Sequence, residues 1–237
     1  MSWFTQFASH GGWPVLVIVV ILAGVSVWSW MLIIFRYIAL SEARRDLLDF
    51  EDQFWGGTDL RELYSELVEE ESKSGIERIF VASFREFERA TDEIDSNATG
   101  YTDTGTAVVD AEIVQTTVMR AARVAVNREE ELLETHLGIL ASVGSVSPYV
   151  GLLGTVVGMI YLFRDLANMN QANIASLAPG ISSVLIVTAM GLFAAIPAVI
   201  AFNRYSARVE ILMKRYEGLI DELVSILYRA ARRDRSS

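Results

Sequence analysis

The chain has 237 residues, 52% of them hydrophobic, with 20 Lys and Arg against 30 Asp and Glu, a net charge of −10 and no cysteine. With a mean hydropathy of +0.33, it departs from the profile of a soluble domain of this length. The missing thiols exclude a disulfide framework or thiolate metal site, and the acidic balance excludes nucleic acid as a natural partner, which leaves the lipid bilayer as the first environment to consider.

Crossing a bilayer core takes roughly 20 apolar residues at about 1.5 Å rise each. Three stretches lack Asp, Glu, Lys and Arg for that long: the N-terminus to Phe35, Leu137 to Phe163, and Leu166 to Asn203. The first contains a bulky run, Val15 to Leu22, followed by Trp28, Trp30, Met31 and Leu32. It reads as a lipid-facing helix with tryptophans near an interface. No basic residue precedes it and no small-residue cleavage site follows, so it is expected to be a retained span, not a signal peptide.

Residues 36–136 form the main charged segment and read as a helical domain. Leu47, Leu48, Phe54, Leu60, Leu63, Leu67, Ile76, Phe80, Phe84 and Phe87 recur at helical spacings, with breaks near Gly56-Gly57 and Gly75. SNATGYTDTG, residues 96–105, reads as a loop. From Thr106 no Pro or Gly intervenes before Gly138, which predicts one helix rising directly into the second span.

The second span, 137–163, carries Ala141, Gly144, Pro148, Gly151, Thr155 and Gly158 on one stripe at about 100° per residue, with Gly154 adjacent. Glycine costs about 1 kcal/mol relative to alanine in a helix interior. The glycines are therefore expected to form a packing surface, since small residues let backbones approach where apolar tails compete with apolar side chains. A short loop, 164–179, holds Asn168, Asn170, Gln171 and Asn173. Pro179 suits the first turn of a helix, so the third span is set at 180–203. It repeats the small-residue design with Thr188, Gly191 and Ala195, with Ala189, Ala194 and Ala198 close by, and Pro197 is expected to kink it. In the tail, 204–237, Val209, Leu212, Met213, Tyr216, Leu219, Ile220, Leu223 and Leu227 follow a 3-4 spacing. That predicts a helix continuing past the membrane with a buried stripe. The fold class is all-α, with three transmembrane helices and long helical extensions.

Basic residues set the orientation. None precedes the first span and only Arg164 lies between the second and third, whereas Arg36, Arg44, Arg45, Arg120, Arg123, Arg128, Arg204, Arg208, Lys214 and Arg215 flank the other ends. The N-terminus and the 164–179 loop are expected on the outer side of the membrane, and the 36–136 domain and C-terminus in the cytoplasm.

Thr155 and Thr188 are the polar groups near the middle of their spans. Each has an ordinary reading, in which the hydroxyl bonds its own preceding turn, and a functional one, in which both line a shared polar path. No ionisable side chain lies within any span, and intramembrane acids are the usual proton carriers. If the chain moves protons, a partner must supply the acid. His136 and His10 read as interfacial residues, not relays. No phosphate loop, nucleophile–base pair or metal-ligand cluster is apparent, so neither enzymatic activity nor a cofactor is expected.

GSVSPYVGLLGTVVGM (144–159) and LAPGISSVLIVTAMGLFAAIPAVIAFNR (177–204) resemble the second- and third-span signature of the TolQ/ExbB/MotA family of energy-transducing stator subunits, and FEDQFWGG (50–57) resembles its TolQ branch. The likeness covers nearly the whole chain. It implies a pentamer in the bacterial inner membrane around the helices of a TolR-like single-span dimer whose aspartate carries the proton. It places pore-lining threonines at Thr155 and Thr188, and it implies proton-driven rotation passed to a TolA-like protein for outer-membrane integrity and division. Many relatives carry a glutamate where this chain has Ser183, which puts a glutamate-based relay in doubt here. Ser183 lies about 140° from Thr188 around the helix and is expected to face a neighbouring subunit or the second span. Two alternatives remain: an ExbB-like subunit energising TonB-dependent uptake, and a passive scaffold whose small-residue faces only assemble helices.

Overall fold

A computed structural model describes residues 12–57, 59–69, 74–97, 104–167 and 174–234. His10, Asn168, Asn170, Gln171 and Asn173 lie outside the described residues. The described residues form six helices and no strand: α1 (Gly12–Trp55), α2 (Leu60–Glu69), α3 (Gly75–Asn97), α4 (Thr104–Glu134), α5 (Leu137–Ala167) and α6 (Ile174–Asp234). Among the described residues, three helical stretches are long and apolar enough to cross a membrane. The chain divides into two compact units, one of Met1–Ile38 with His136–Ser206 and one of Ala39–Thr135 with Ala207–Ser237.

In the first unit, the span unit, three helix segments alternate in direction. Val15 of α1 and Val184 of α6 meet Gly158 of α5, while Ile18 and Val187 meet Gly154. Residue numbers therefore rise together along α1 and α6 and fall along α5. Val15, Val19, Leu22 and Val187 form the apolar centre. The outward faces are apolar too: Val17, Val20, Trp28, Leu152, Val156, Phe193 and Ile196 are all exposed. Helices apolar on every side need lipid or other protein around them.

The second unit is held by large side chains. α3 packs along α4 and against α2. Leu47, Phe50 and Phe54 of α1, Leu63 and Leu67 of α2, and Ile76, Phe80, Phe84 and Phe87 of α3 are buried. The rings of Phe50, Phe80, Phe84, Tyr64 and Phe87 form a contiguous series, with centroids 4.8 to 5.8 Å apart. All eight residues of the expected tail stripe, Val209 to Leu227, are buried.

Four details differ from the sequence reading. The expected continuous helix into the second span is broken at Thr135-His136, where His136 takes a left-handed φ of 66°. Its carbonyl accepts the N–H of Ile139 and Leu140 at 3.2 and 3.4 Å, opening α5 as a new helix. The last helix starts at Ile174, so Pro179 is interior to α6 and not in its first turn; its ring removes one backbone donor there. Leu48 faces solvent. Of the expected loop 96–105, Ser96 and Asn97 end α3 while Thr104 and Gly105 begin α4, and 98–103 lie outside the described residues. The breaks at Gly56-Gly57 and Gly75 coincide with helix ends, with Gly57 at φ 84°.

Candidate functional site

The small-residue stripe of α5 is an inner face. Gly144, Gly151, Gly154 and Gly158 are buried, as are Gly191, Ala194, Ala195 and Ala198 of α6; Pro148 and Pro197 are half-buried and Ala189 is exposed. At Gly151 and Gly191 backbone meets backbone. A Cβ on Gly191 would stand 2.6 Å from the Ser147 carbonyl oxygen and 3.0 Å from Gly151 Cα, and one on Gly151 would stand 3.1 Å from the Val187 carbonyl oxygen. Gly144 meets Val199, and Gly158 meets Val184 at 2.8 Å. A side chain at Gly191 forces the two helices apart, and one at Gly151 needs the facing backbone to give by a few tenths of an ångström, because the obstacle at both is main chain and not a flexible tip.

That approach brings the two threonines together. Thr155 Oγ1 lies 2.5 Å from Thr188 Oγ1, with either hydroxyl able to donate. Thr155 also reaches the carbonyl oxygens of Gly151 and Val184, each at 3.2 Å, and Thr188 reaches Gly151 O at 3.4 Å. Thr155 thus bonds the preceding turn of its own helix, as in the ordinary reading, and also bridges to α6. Both are half-buried within one chain, so the pair remains reachable from its edge. The arrangement amounts to two hydroxyls and two carbonyls in an otherwise aliphatic seam. Such a group can pass or orient a hydrogen but, with no acid or base among its members, cannot hold a charge by itself.

Ser183 is 8% exposed and donates to the Gly180 carbonyl at 2.8 Å. Its side chain is buried within the chain and closes on its own helix. His136 is exposed at the helix break.

A sequence model described as the MotA/TolQ/ExbB proton channel family matches residues 71–218, which include the whole glycine face and both threonines. The chain belongs to that family. Within it, the chain is 47% identical over 222 residues to the Tol-Pal system protein TolQ of Pseudomonas aeruginosa, covering 93% of this chain and 90% of that protein. It is 43% identical over 215 residues to the Tol-Pal system protein TolQ of Haemophilus influenzae, covering 90% and 89%. The biopolymer transport protein ExbB of Xanthomonas campestris pv. campestris (strain B100) is 32% identical over 195 residues, covering 82% and 72%. The chain is a TolQ-like member of the family.

Three features of this family member escape the sequence reading. The first span is not simply lipid-facing: its Val15–Val19–Leu22 edge fills the glycine face. Ser29 and Arg36 of α1 are buried, and Tyr205 donates to the Ile33 carbonyl at 3.0 Å. In the second unit Arg78 forks onto Glu129, Nε to Oε1 at 2.6 Å and Nη2 to Oε2 at 2.7 Å, a pair 51 residues apart that no local spacing announces.

Proposed function

We propose that the chain is an inner-membrane stator subunit of a Tol-Pal-type motor. Assembled as a pentamer, with its N-terminus in the periplasm and C-terminus in the cytoplasm, it surrounds the membrane helices of a TolR-like dimer. The observation that carries this is the hydroxyl pair Thr155–Thr188, set in a seam without a single ionisable group. The pair supplies hydrogen-bonding positions, and the guest helix supplies the acid that takes and releases the proton. Neutralising that acid changes which contacts it favours with the surrounding hydroxyls. Each proton moved down a field of 100 mV releases about 2.3 kcal/mol, enough to bias packed arrangements that differ by a similar amount. The work is passed to a TolA-like protein and sustains outer-membrane integrity and constriction at division. Higher identity to the two TolQ proteins than to the ExbB protein favours this role over uptake.

The test replaces Thr155→Ala and Thr188→Ala separately, and Thr155→Ser, in cells lacking the native protein. Both alanine variants are expected to co-purify with the single-span partner yet to leave the outer membrane leaky to detergent, while the serine variant retains most function. Alanine variants that restore the barrier fully would make the chain a passive scaffold.

A further inference from the structure

A second polar cluster lies in the charged unit, at the start of α3. Tyr216 of α6 is fully buried, and its Oη has no hydrogen-bond partner. Ser74, immediately before α3, also has a buried and unpartnered Oγ, while its N–H donates to Glu77 Oε2 at 2.6 Å. Glu129 of α4 is 5% exposed and carries the Arg78 fork. Glu129 and Tyr216 converge on Gly75, the residue after Ser74: a Cβ there would stand 2.9 Å from Glu129 Oε2 and 3.0 Å from Tyr216 Oη.

The phenol cannot resolve this by itself. Its ring fixes the position of Oη, and only the hydrogen turns. Burial, then the nearby carboxylates of Glu129 and Asp46, push its ionisation far above the usual tyrosine range, so the hydroxyl keeps a hydrogen to donate. A buried donor left unmet costs stability, because the hydrogen bond it made to water in the unfolded chain is not replaced. Internal waters usually answer such a need, each making about three hydrogen bonds to polar groups that lack partners. Two unmet hydroxyls are present here, Tyr216 Oη as donor and Ser74 Oγ as acceptor, and Glu129 Oε2, which already accepts from Arg78 Nη2, has a further lone pair to offer.

We infer that one internal water molecule binds at this node, accepting from Tyr216 Oη and donating to Glu129 Oε2 and Ser74 Oγ. It ties α6 to α3 and α4 through Arg78–Glu129, and it gives Gly75 its reason, since a side chain there would press on the same two oxygens.

The test uses the full-length protein purified with its partner. A density map detailed enough to show waters is expected to have a peak about 3 Å from both Tyr216 Oη and Glu129 Oε2. Tyr216→Phe is expected to lower the melting temperature by about 2–4 °C, because it strips a bridged hydroxyl. Were that hydroxyl unmet, its removal would leave melting unchanged or raise it. A map without the peak, including one with Tyr216 bonded directly to Glu129, overturns the inference, as does an unchanged or higher melting temperature. If the variant fails to fold, the map of the unaltered protein decides.

Discussion

The two units of this chain bury their helices by opposite means. In the span unit the contact surface is made of what is missing: Gly151 and Gly191 bring main chain against main chain, and valines of α1 and α6 fill the notches at Gly154 and Gly158. In the charged unit it is made of what is added, with phenylalanine rings, leucines and Tyr216 interlocked. The solvent explains the contrast. Water expels large apolar groups, so each buried Phe or Leu contributes about 1.5–3 kcal/mol. Lipid does not expel them, so association there relies on close fit and on hydrogen bonds between helices. Thr155 and Thr188 lie beside the backbone contact at Gly151.

Three substitutions probe this contrast. The largest effect is expected from Gly191→Val, whose side chain meets the main chain of Ser147 and Gly151. Most of the folded protein extractable from membranes is expected to disappear, measured by size-exclusion yield; a normal yield would show that the seam is not held by backbone proximity. Next comes Arg78→Ala, which leaves Glu129 as a buried, uncompensated carboxylate. Because Arg78 is itself half-exposed, the cost is expected at about 1–3 kcal/mol, read as a fall in melting temperature. The double change Arg78→Leu with Glu129→Leu is expected to recover much of it.

The smallest effect has the reverse sign. Burial first, then Glu42, Glu77 and Asp49, raise the Asp46 carboxyl above its ordinary value. The folded state then holds its proton more tightly than the unfolded state. The stability that this proton confers is present at low pH and is lost as pH rises from the ordinary carboxylate value through the raised one. Asp46→Asn is expected to melt slightly higher than the parent at neutral pH and to show a flatter pH dependence across that acidic window.

How much of this was legible depended on the same contrast. The tail stripe from Val209 to Leu227 could be read in full, because water enforces a 3-4 spacing of large residues on a helix. The α5 glycines were equally readable, since their cost in a helix demands a reason. The inward edge of α1 was not: from Val15 to Leu22 every residue is aliphatic, so the sequence contains no periodicity to show which edge meets the glycines. The break at His136 gave no warning because neither Gly nor Pro marks it. The fork between Arg78 and Glu129, and the polar end of Tyr216 within an otherwise apolar stripe, depend on tertiary neighbours that local spacing does not encode.

The short span between Thr155 and Thr188 has one more consequence. Only a single hydrogen fits between two oxygens 2.5 Å apart, so when one threonine points at the other, the second must aim its own hydrogen at a carbonyl of Gly151 or Val184. The pair therefore has two polarities, and switching between them requires both hydroxyls to swing in concert. Viewed this way, the seam holds a reversible electric dipole, a two-position needle that an approaching charge would set.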